Sequence, residues 1–403
     1  MCWPRSPSLS CAVSSPSGRG WCSHYRVRLS AVHHLYLHVP FCARRCSYCD
    51  FSIAVRRRIP AEAYLAAIRS ELGQQGEIGP LETVYLGGGT PSLLPSQAVV
   101  SLLQCIFDRA PAAPAVEVTL EANPEDVTPD AVREWRAAGV NRVSLGAQSF
   151  DDRVLRWMHR SHDADRVKES VETLRRAGID NISLDLIFAL PPELERDWRG
   201  DLDRALALEP AHLSLYGLTV EPRTPLARWV SRGATAPPDD ERYAEEYLLA
   251  HERLADAGYA FYEVSNAARE GRRSRHNSAY WSGRPYLGVG PAAHSFDGRT
   301  RRWNLAPWEA YRRALADGGS PVESEETLTE EQRELEQLYL GLRTVDGLSS
   351  TVLHRPPQPP NPLATALACG WLVETEGRLR CTPEGWLRLD TLVHALTGSA
   401  AIS

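Results

Sequence analysis

The sequence predicts an α/β fold in which six strand–helix units form a complete or partial parallel barrel. Short β-rich runs alternate with helix-like segments from residue 33 onward. This alternation favours parallel strands, because each parallel crossover needs room for a helix. Polar or glycine-rich residues follow one strand after another, which is typical of a site built at the carboxyl ends of barrel strands.

The predicted elements alternate along the chain. The strands are HLYLHV (34–39), TVYL (83–86), VEVTLE (116–121), RVSLGA (142–147), NISLDLIF (181–188) and HLSLYGL (212–218). The helices between them are predicted near 61–73, 96–108, 128–137, 151–159, 164–177 and 195–207. The regular repeat of strand and helix is the pattern expected of βαβ units.

Two further regions are predicted after the barrel. Residues 226–320 comprise a helix at 238–257, a strand at 258–266 and a loop-rich stretch at 274–296. Residues 321–403 comprise a helix at 329–343, a proline-rich linker at 356–362, a short helix, a hairpin turning at Glu376-Gly377 and a helix near 383–396. The long helix begins with a capping box of Thr329 and Gln332.

The last region has a winged-helix-like outline, but we interpret it as a packing module. The net charge of −6 gives no general nucleic-acid footprint, so no nucleic-acid partner is expected. The chain has no run of 18 apolar residues that would predict a transmembrane helix. Nine cysteines are too few for a disulfide framework in 403 residues, so a reducing, cytoplasmic setting is expected.

Residues 1–32 are expected to be a disordered extension or a misassigned start. The first 30 residues hold eight serines, four arginines and no acid, a composition that resembles a transit peptide. Pro4, Pro7, Pro16 and Gly18 interrupt any amphipathic helix, which argues against that alternative.

Three cysteines, Cys42, Cys46 and Cys49, fall within eight residues after the first predicted strand. A disulfide would leave one thiol over, and structural zinc normally takes four ligands, often as paired C-x-x-C motifs. Cys46 and Cys49 make one such pair, but no second pair follows. An iron–sulfur cubane takes one thiolate per iron, so three thiolates leave one iron open to a non-protein ligand. We therefore favour an iron–sulfur cluster.

The motif C-x-x-x-C-x-x-C after a first strand, with Tyr48 before its last cysteine, resembles that of the radical S-adenosylmethionine (SAM) superfamily. The resemblance implies a partial (β/α)6 barrel over residues 33–225, with a 4Fe-4S cluster on the three cysteines. It also implies that SAM chelates the open iron. In that superfamily an electron from the cluster cleaves SAM to give a radical, so an electron donor is implied wherever that chemistry occurs.

The resemblance extends to the SAM contacts. Gly87-Gly88-Gly89-Thr90 is similar to the glycine motif whose backbone receives the methionine amino group, and glycine permits that close approach. Similarity to the subgroup around oxygen-independent coproporphyrinogen III oxidase implies five further contacts, which are Tyr36, Glu121, Gln148, Arg160 and Asp185. Carboxylates at strand ends can accept hydrogen bonds from ribose hydroxyls or an ammonium group. Taken singly, each residue is equally explained as a structural polar group at the barrel rim.

Phe51 separates two branches of this subgroup. The oxidase branch has a fourth cysteine two residues after the third, where this sequence has Phe51. The other branch consists of heme chaperones and carries an HNxxYW motif, which is similar to HNSAYW at 276–281 here. YLGVGPAAHSF (286–296), RRWN (301–304) and LGLRTVDG (340–347) also resemble that branch. The resemblance implies a protein that binds heme and hands it to a soluble or membrane-associated acceptor. Oxidative decarboxylation of coproporphyrinogen III is the alternative.

Heme is expected at the HNxxYW motif. His276 and His294 are rival axial ligands, because an imidazole can bind heme iron. Asn277, Tyr280 and Trp281 complete the predicted heme site, since large aromatic side chains can pack on a porphyrin face. The alternative is that the aromatic pair belongs to the core and that His276 is a hydrogen-bonded loop histidine.

The sequence departs from the family at three places, one of which is the proline-rich stretch 356–362 that shortens the tail. The glycine-containing turn after the fifth strand, YGLPGQ-like in the family, is FALPPEL here, with Ala189 and Pro192 near Asp185. Ser274 stands where many members have a cysteine before RHN. The serine puts thiol-assisted heme attachment at that position in doubt.

Overall fold

The computed structural model describes residues 32–353 and 361–397, so the predicted N-terminal extension and most of the proline-rich linker lie outside the described residues. Strands and helices alternate through the first part of the chain. They are β1 (His34–Val39), β2 (Phe41–Cys42), β3 (Ala54–Val55), α1 (Ala61–Gln74), β4 (Leu81–Gly88), α2 (Ser96–Arg109), β5 (Ala112–Ala122), α3 (Pro129–Ala137), β6 (Arg142–Gln148), α4 (Asp152–Trp157), α5 (Ala164–Arg176), β7 (Asn181–Phe188), α6 (Trp198–Ala207), β8 (His212–Gly217) and α7 (Pro225–Ser231).

The second part is more mixed. Its elements are α8 (Asp240–Asp256), β9 (Ala260–Glu263), β10 (Asn266–Ala268), α9 (Arg275–Trp281), β11 (Leu287–Val289), β12 (His294–Phe296), β13 (Thr300–Asn304), α10 (Trp308–Ala316), β14 (Val322–Thr327), α11 (Glu330–Arg343), β15 (Leu348–Ser349), α12 (Pro362–Ala368), β16 (Leu372–Thr375), β17 (Arg378–Cys381), α13 (Pro383–Trp386) and α14 (Leu389–Thr397). No helix of the described residues is long and apolar enough to cross a bilayer.

Nine strands form the main sheet, in the order β11-β1-β4-β5-β6-β7-β8-β10-β9. The six strands from β1 to β8 in this order are parallel neighbours, and they are the six strands that the sequence predicts. This confirms the α/β fold with its partial barrel of six βα units. β11 joins the β1 edge in parallel, whereas β10 joins β8 antiparallel.

The outer side of the sheet is apolar. Leu35, Leu37 and Val39 of β1 are fully buried and belong to one large hydrophobic cluster with Tyr64 and Ile68 of α1. Successive strand residues point to opposite sides, so the residues between these leucines face the interior of the barrel. Burial of the apolar side against the helices therefore fixes which polar side chains face inward.

The inner side of the sheet is polar. His34, Thr83, Ser183 and His212 are buried there. They are hydrogen-bonded in pairs, with His34 Nδ1 3.0 Å from Thr83 Oγ1 and Ser183 Oγ 2.8 Å from His212 Nδ1. Parallel barrels usually fill their interior with branched apolar residues. A polar interior in place of this apolar filling indicates that the inside of the sheet serves a site.

The prediction that residues 274–296 are loop-rich is wrong in part, because this stretch contains α9, β11 and β12. The Ser274 side chain accepts a hydrogen bond from Asn277 N (3.3 Å), which caps α9, and Gly283 follows it with φ +65°. The capping box of Thr329 with Gln332 and the hairpin at Glu376-Gly377 are present as predicted.

Two further predicted elements are each divided into two. The strand predicted at 258–266 forms β9 and β10, because Glu263 Oε1 accepts from Ser265 N (3.1 Å) and turns the chain there. The helix predicted near 383–396 forms α13 and α14. Both errors concern where an element is interrupted.

Candidate functional site

The cluster loop, residues 42–49, follows β1 at the carboxyl edge of the sheet. Cys42 ends β2, which pairs in parallel with β3, and Cys49 N donates to Cys46 O at 3.4 Å. All three cysteines are free thiols; Cys42 is buried and the other two are half-buried. The three predicted cluster ligands therefore lie on one short loop.

Distant parts of the chain hold the cluster loop in place. Ser47 N donates to Met158 O (3.2 Å), and Leu226 N donates to Ser47 O (2.8 Å). Tyr48 packs against a small hydrophobic cluster that includes Met158 and Leu226. Because these partners follow β6 and β8, the position of the loop depends on the completed sheet.

The sulfur atoms have polar neighbours but lie in a dry environment. Thr90 Oγ1 donates to Cys42 Sγ (3.4 Å), and Arg160 Nη1 donates to Cys46 Sγ (3.6 Å). Burial raises the pKa of Cys42 to about 11 and that of Cys49 to about 12. Thiolates therefore form at these positions only beside added positive charge, which bound iron supplies.

The arrangement of the three thiols is compatible with a cluster. Within the described residues, no group of three or more His, Cys, Asp or Glu side chains is arranged to hold one metal ion. A cubane attaches each thiolate to a different iron, so its ligands need not meet at one point. Phe51 is half-buried, and its backbone hydrogen-bonds to the Cys49 thiol. The loop thus offers three thiolates, with an apolar ring at the position of a fourth.

The glycine run 87–89 brings the end of β4 close to neighbouring strands. A Cβ on Gly87 would lie 3.0 Å from Tyr36, and a Cβ on Gly88 would lie 2.6 Å from the ring of His38. Gly88 also has φ +112°, which side-chain-bearing residues rarely adopt. These positions require glycine, because neighbouring rings already occupy the space that a side chain would take.

Glu121 connects this glycine run to β5. Its Oε1 accepts from Tyr85 OH (2.8 Å) and its Oε2 accepts from Gly88 N (3.0 Å). The ring of Tyr36 stacks on that of Tyr85, with centroids 6.0 Å apart, and Tyr36 OH hydrogen-bonds to His38 Nδ1 (3.0 Å). The predicted contacts Tyr36, Gly88 and Glu121 therefore belong to one connected group.

Asp185 and Gln148 lie on the neighbouring strands β7 and β6. Ser144 Oγ lies 3.0 Å from both carboxylate oxygens of Asp185 and donates to them. Burial raises the pKa of Asp185 to about 6, and the charge of Glu121 contributes to the rise. Gln148 has φ +66°, an uncommon conformation for a residue other than glycine and one that is concentrated at functional sites.

Arg160 joins the strand ends to the cluster loop. Its Nη2 donates to Asn123 Oδ1 (2.6 Å) and to Gly146 O (3.0 Å), while its Nη1 reaches Cys46. A Cβ on Gly146 would lie 3.1 Å from Arg160 Nη2. Although Arg160 follows α4 rather than a strand, the structure places its charge beside the predicted cluster.

Three residues that were not predicted from the sequence hold the predicted ones in place. Tyr85 orients Glu121, Ser144 orients Asp185, and His38 lies between Tyr36 and Gly88. Each lies at an inward-facing strand position, so the alternation of polar and apolar residues along the strands is the signal that could have found them.

The departure after β7 has a structural counterpart. Ala189, where the family has a glycine-containing turn, has φ +56°, in the left-handed region that favours glycine. Ala189 N donates to Glu246 Oε2 (2.7 Å), which fixes this turn. Pro192 begins a short 3-10 turn after it.

The HNSAYW motif lies on α9, and its histidine is buried inside the sheet. His276 Nδ1 hydrogen-bonds to Thr83 Oγ1 (2.7 Å), and His276 Nε2 hydrogen-bonds to Tyr280 OH (2.9 Å). The amides of Arg275 and His276 each donate to the Glu117 carboxylate at 3.0 Å. Burial lowers the pKa of His276 well below its usual range. His276 is therefore a buried, hydrogen-bonded histidine with a neutral ring.

The structure does not bring the two rival histidines together. His276 stacks on Tyr85, with ring centroids 5.1 Å apart, whereas His294 is exposed on β12 and stacks on Trp303 at 5.8 Å. Asn277 is buried, with 4% of its surface exposed. Tyr280 and Trp281 are half-buried.

Two family models match the chain. The Radical SAM superfamily matches residues 36–205, and the HemN C-terminal domain matches residues 328–388. With the three-thiol loop at the carboxyl edge of a six-unit parallel sheet, the first match defines the class. The chain is a radical SAM protein, a class that uses a 4Fe-4S cluster and SAM.

Relatives of known name match over most of the chain. Heme chaperone HemW of Mycobacterium tuberculosis is 39% identical, over 90% of this chain and 94% of its own length. Heme chaperone HemW of Bacillus subtilis is 37% identical, over 78% and 84%. The bovine mitochondrial protein named radical S-adenosyl methionine domain-containing protein 1 is 34% identical, over 90% and 86%. The chain belongs to the HemW family.

A solved structure supports the fold. The Escherichia coli coproporphyrinogen III oxidase HemN superposes with a TM-score of 0.77, over 93% of this chain and 92% of its own. Its sequence identity is 21%, so the likeness concerns the architecture.

Replacing Cys42, Cys46 or Cys49 by alanine should remove most of the iron and the brown absorbance from the anaerobically reconstituted protein. Each thiolate holds a separate iron, so losing one opens the cluster to solvent on two irons. Iron and sulfide per chain measure the effect. Cys105→Ala is the matched control, because Cys105 is a half-buried thiol on α2 outside the cluster loop. Full iron retention in any loop variant would contradict the ligand assignment.

Proposed function

We propose that this protein is a heme chaperone that binds heme and passes it to an acceptor protein. The relatives named heme chaperone HemW support this, because they match along most of the chain. The observation that carries the proposal is the cluster loop, in which Cys49 is followed by Asp50 and Phe51. The oxidase branch of the subgroup that this chain resembles has a cysteine at the position of Phe51.

We propose Cys42, Cys46 and Cys49 as the cluster ligands and the carboxyl edge of the sheet as the SAM site. The cluster, when bound, supplies an electron to SAM if radical chemistry takes place, and an electron donor is then required. The other residues assigned to SAM are Tyr36, Gly87, Gly88, Gly89, Thr90, Glu121, Gln148, Arg160 and Asp185. Most of them present a polar atom or bare backbone at a strand end, and Arg160, which follows α4, reaches the same edge by donating to Gly146 O (3.0 Å).

Each residue type contributes a different interaction. The glycine run carries no side chains, so the methionine part of SAM can approach its backbone closely. Glu121 and Asp185 supply carboxylate oxygens for the ammonium group and the ribose hydroxyls. Thr90 and Arg160 donate to the sulfurs of Cys42 and Cys46, which stabilises their thiolates.

The heme residues expected from the motif separate into two groups. Tyr280 and Trp281 are half-buried, and we propose them as heme contacts. His276 and Asn277 are buried, and we propose that they act by holding α9 in place. Of the two rival histidines, His294 has the exposed ring, on β12. The described cysteines are free thiols, which supports a cytoplasmic setting.

The anaerobically reconstituted protein should bind hemin and leave coproporphyrinogen III unchanged in the presence of SAM and a reductant. Hemin binding is measured by absorbance titration, and decarboxylation by mass spectrometry of the porphyrinogen. A coproporphyrinogen III oxidase assayed alongside provides the positive control. Robust formation of protoporphyrinogen IX by this protein would contradict the chaperone proposal and support the alternative, coproporphyrinogen III oxidase activity.

SAM affinity should rise with pH through the titration of Asp185. The pKa of Asp185 is raised to about 6, so this carboxyl is neutral below that pH and charged above it. A carboxylate binds the cationic ligand more strongly, so affinity should rise roughly tenfold between about pH 5 and about pH 7. Calorimetric titration with SAM at a series of pH values measures this.

Asp185→Asn should bind SAM more weakly and show little of this pH dependence. Asp126→Asn is the matched control, because burial also raises the pKa of Asp126 to about 6, while its carboxylate accepts from Ser92 Oγ (2.7 Å) on a neighbouring turn. If Asp185→Asn keeps the full pH dependence, Asp185 does not contact SAM.

A further inference from the structure

A cavity of about 430 Å³ lies on the outer side of α9, away from the polar interior of the sheet. Its walls come from α9, from the β12–β13 hairpin, from α11 and from the segment that leads into β15. Tyr280 and Trp281 of the HNSAYW motif are among its lining residues. The motif therefore faces two ways, with His276 inside the sheet and the aromatic pair at the cavity.

One wall of the cavity is aromatic. Trp281, Tyr280, Tyr286 and Phe296 line it. Tyr280 meets Tyr286 edge to face with ring centroids 4.5 Å apart, and Tyr286 lies 6.3 Å from Phe296. The guanidinium of Arg343 lies 4.2 Å from the Trp281 ring and fixes that ring from behind. Such a surface suits a flat, apolar ligand.

The rim of the cavity is positively charged. Five arginines and two carboxylates line the cavity. Arg273 is half exposed and lies 3.8 Å from Asp346, and Arg333 pairs with the exposed Glu330 at 3.0 Å. Exposed ion pairs of this kind contribute little to stability, so these guanidiniums can turn to a ligand at low cost. Arginine is well matched to carboxylates, which it binds through two donors.

The lining offers one class of iron ligand. None of the described residues that line the cavity is a histidine, cysteine or methionine, but three are tyrosines. The phenol of Tyr262 hydrogen-bonds to His212 Nε2 (2.8 Å), and that of Tyr280 hydrogen-bonds to His276 Nε2 (2.9 Å). Tyrosine is a known axial ligand of heme. Since two phenols each hold a histidine, Tyr286 is the tyrosine that we assign to the iron.

We propose that this cavity is the heme site, with the porphyrin against the aromatic wall, the two propionates on the rim arginines and Tyr286 on the iron. The inference rests on the proposed heme-chaperone function and deepens it. On coordination to ferric iron, the phenol oxygen forms the bond and its proton passes to water in the open cavity. His276 then acts as a positioning residue, which holds Tyr280 and α9 from inside the sheet.

The test compares hemin with protoporphyrin IX, which has the same propionates and ring but no iron. Arg273→Ala and Arg333→Ala should each lower the affinity for both probes by roughly tenfold. Tyr286→Phe should lower hemin affinity by roughly tenfold, change the ferric heme spectrum and leave protoporphyrin IX affinity within about twofold. Trp281→Ala should weaken both probes.

A matched arginine variant, the cluster content and circular dichroism distinguish loss of the heme site from loss of folding. Arg176→Ala removes an exposed arginine paired with Glu172 on α5, away from the cavity, and should bind both probes like the wild type. Each variant's cluster content and circular dichroism show that it folds. If the wild type binds hemin but the cavity variants bind it equally well, the cavity site is wrong and the proposed function stands.

The rival ligands supply the other decisive outcome. The assignment of Tyr286 is overturned if Tyr286→Phe keeps the wild-type ferric spectrum while His294→Ala or His276→Ala changes it. Failure of the wild type to bind hemin overturns the proposed function and this site with it. Loss of the wild-type ferric spectrum in Tyr286→Phe alone supports the assignment.

Discussion

The two hydrogen bonds that Glu121 accepts, from Tyr85 and from the Gly88 amide, are the interaction on which the site depends. They tie the ends of β4 and β5 together and fix the backbone of the glycine run. That run in turn packs on β1, the strand that leads into the cluster loop. A side chain at Gly87 or Gly88 would push these strands apart, so the glycine run and the cluster loop depend on the same close approach of the strands.

Helix α9 is the element that relates the inside of the sheet to its outside. His276 stacks on Tyr85, which holds Glu121, while Tyr280 and Trp281 of the same helix turn towards the outer cavity. The hydrogen bond between His276 Nε2 and Tyr280 OH joins the two sides within this helix. The cluster and SAM on one side and heme on the other would therefore share one wall.

The strands and the cluster loop could be predicted because their signals are local. Each strand is a short β-rich run, and the three thiols lie within one loop. Helix α9 could not be predicted in this way, because RHNSAYW has no apolar periodicity and is stabilised by tertiary contacts instead. Its first amides are bound by Glu117, a residue of β5 that lies more than one hundred residues earlier in the chain. The burial of His276 follows from that contact and has no signature of its own in the sequence.

The central claim is that three thiolates leave one iron open for SAM. Electron paramagnetic resonance of the reduced, reconstituted protein tests it most directly, with SAM added in steps. The claim predicts that SAM shifts the signal of the cluster until the site is saturated, because a new ligand joins one iron. S-adenosylhomocysteine, which lacks the sulfonium methyl group, serves as a comparison ligand. A signal unchanged at saturating SAM, in a protein with full cluster content, would contradict the account.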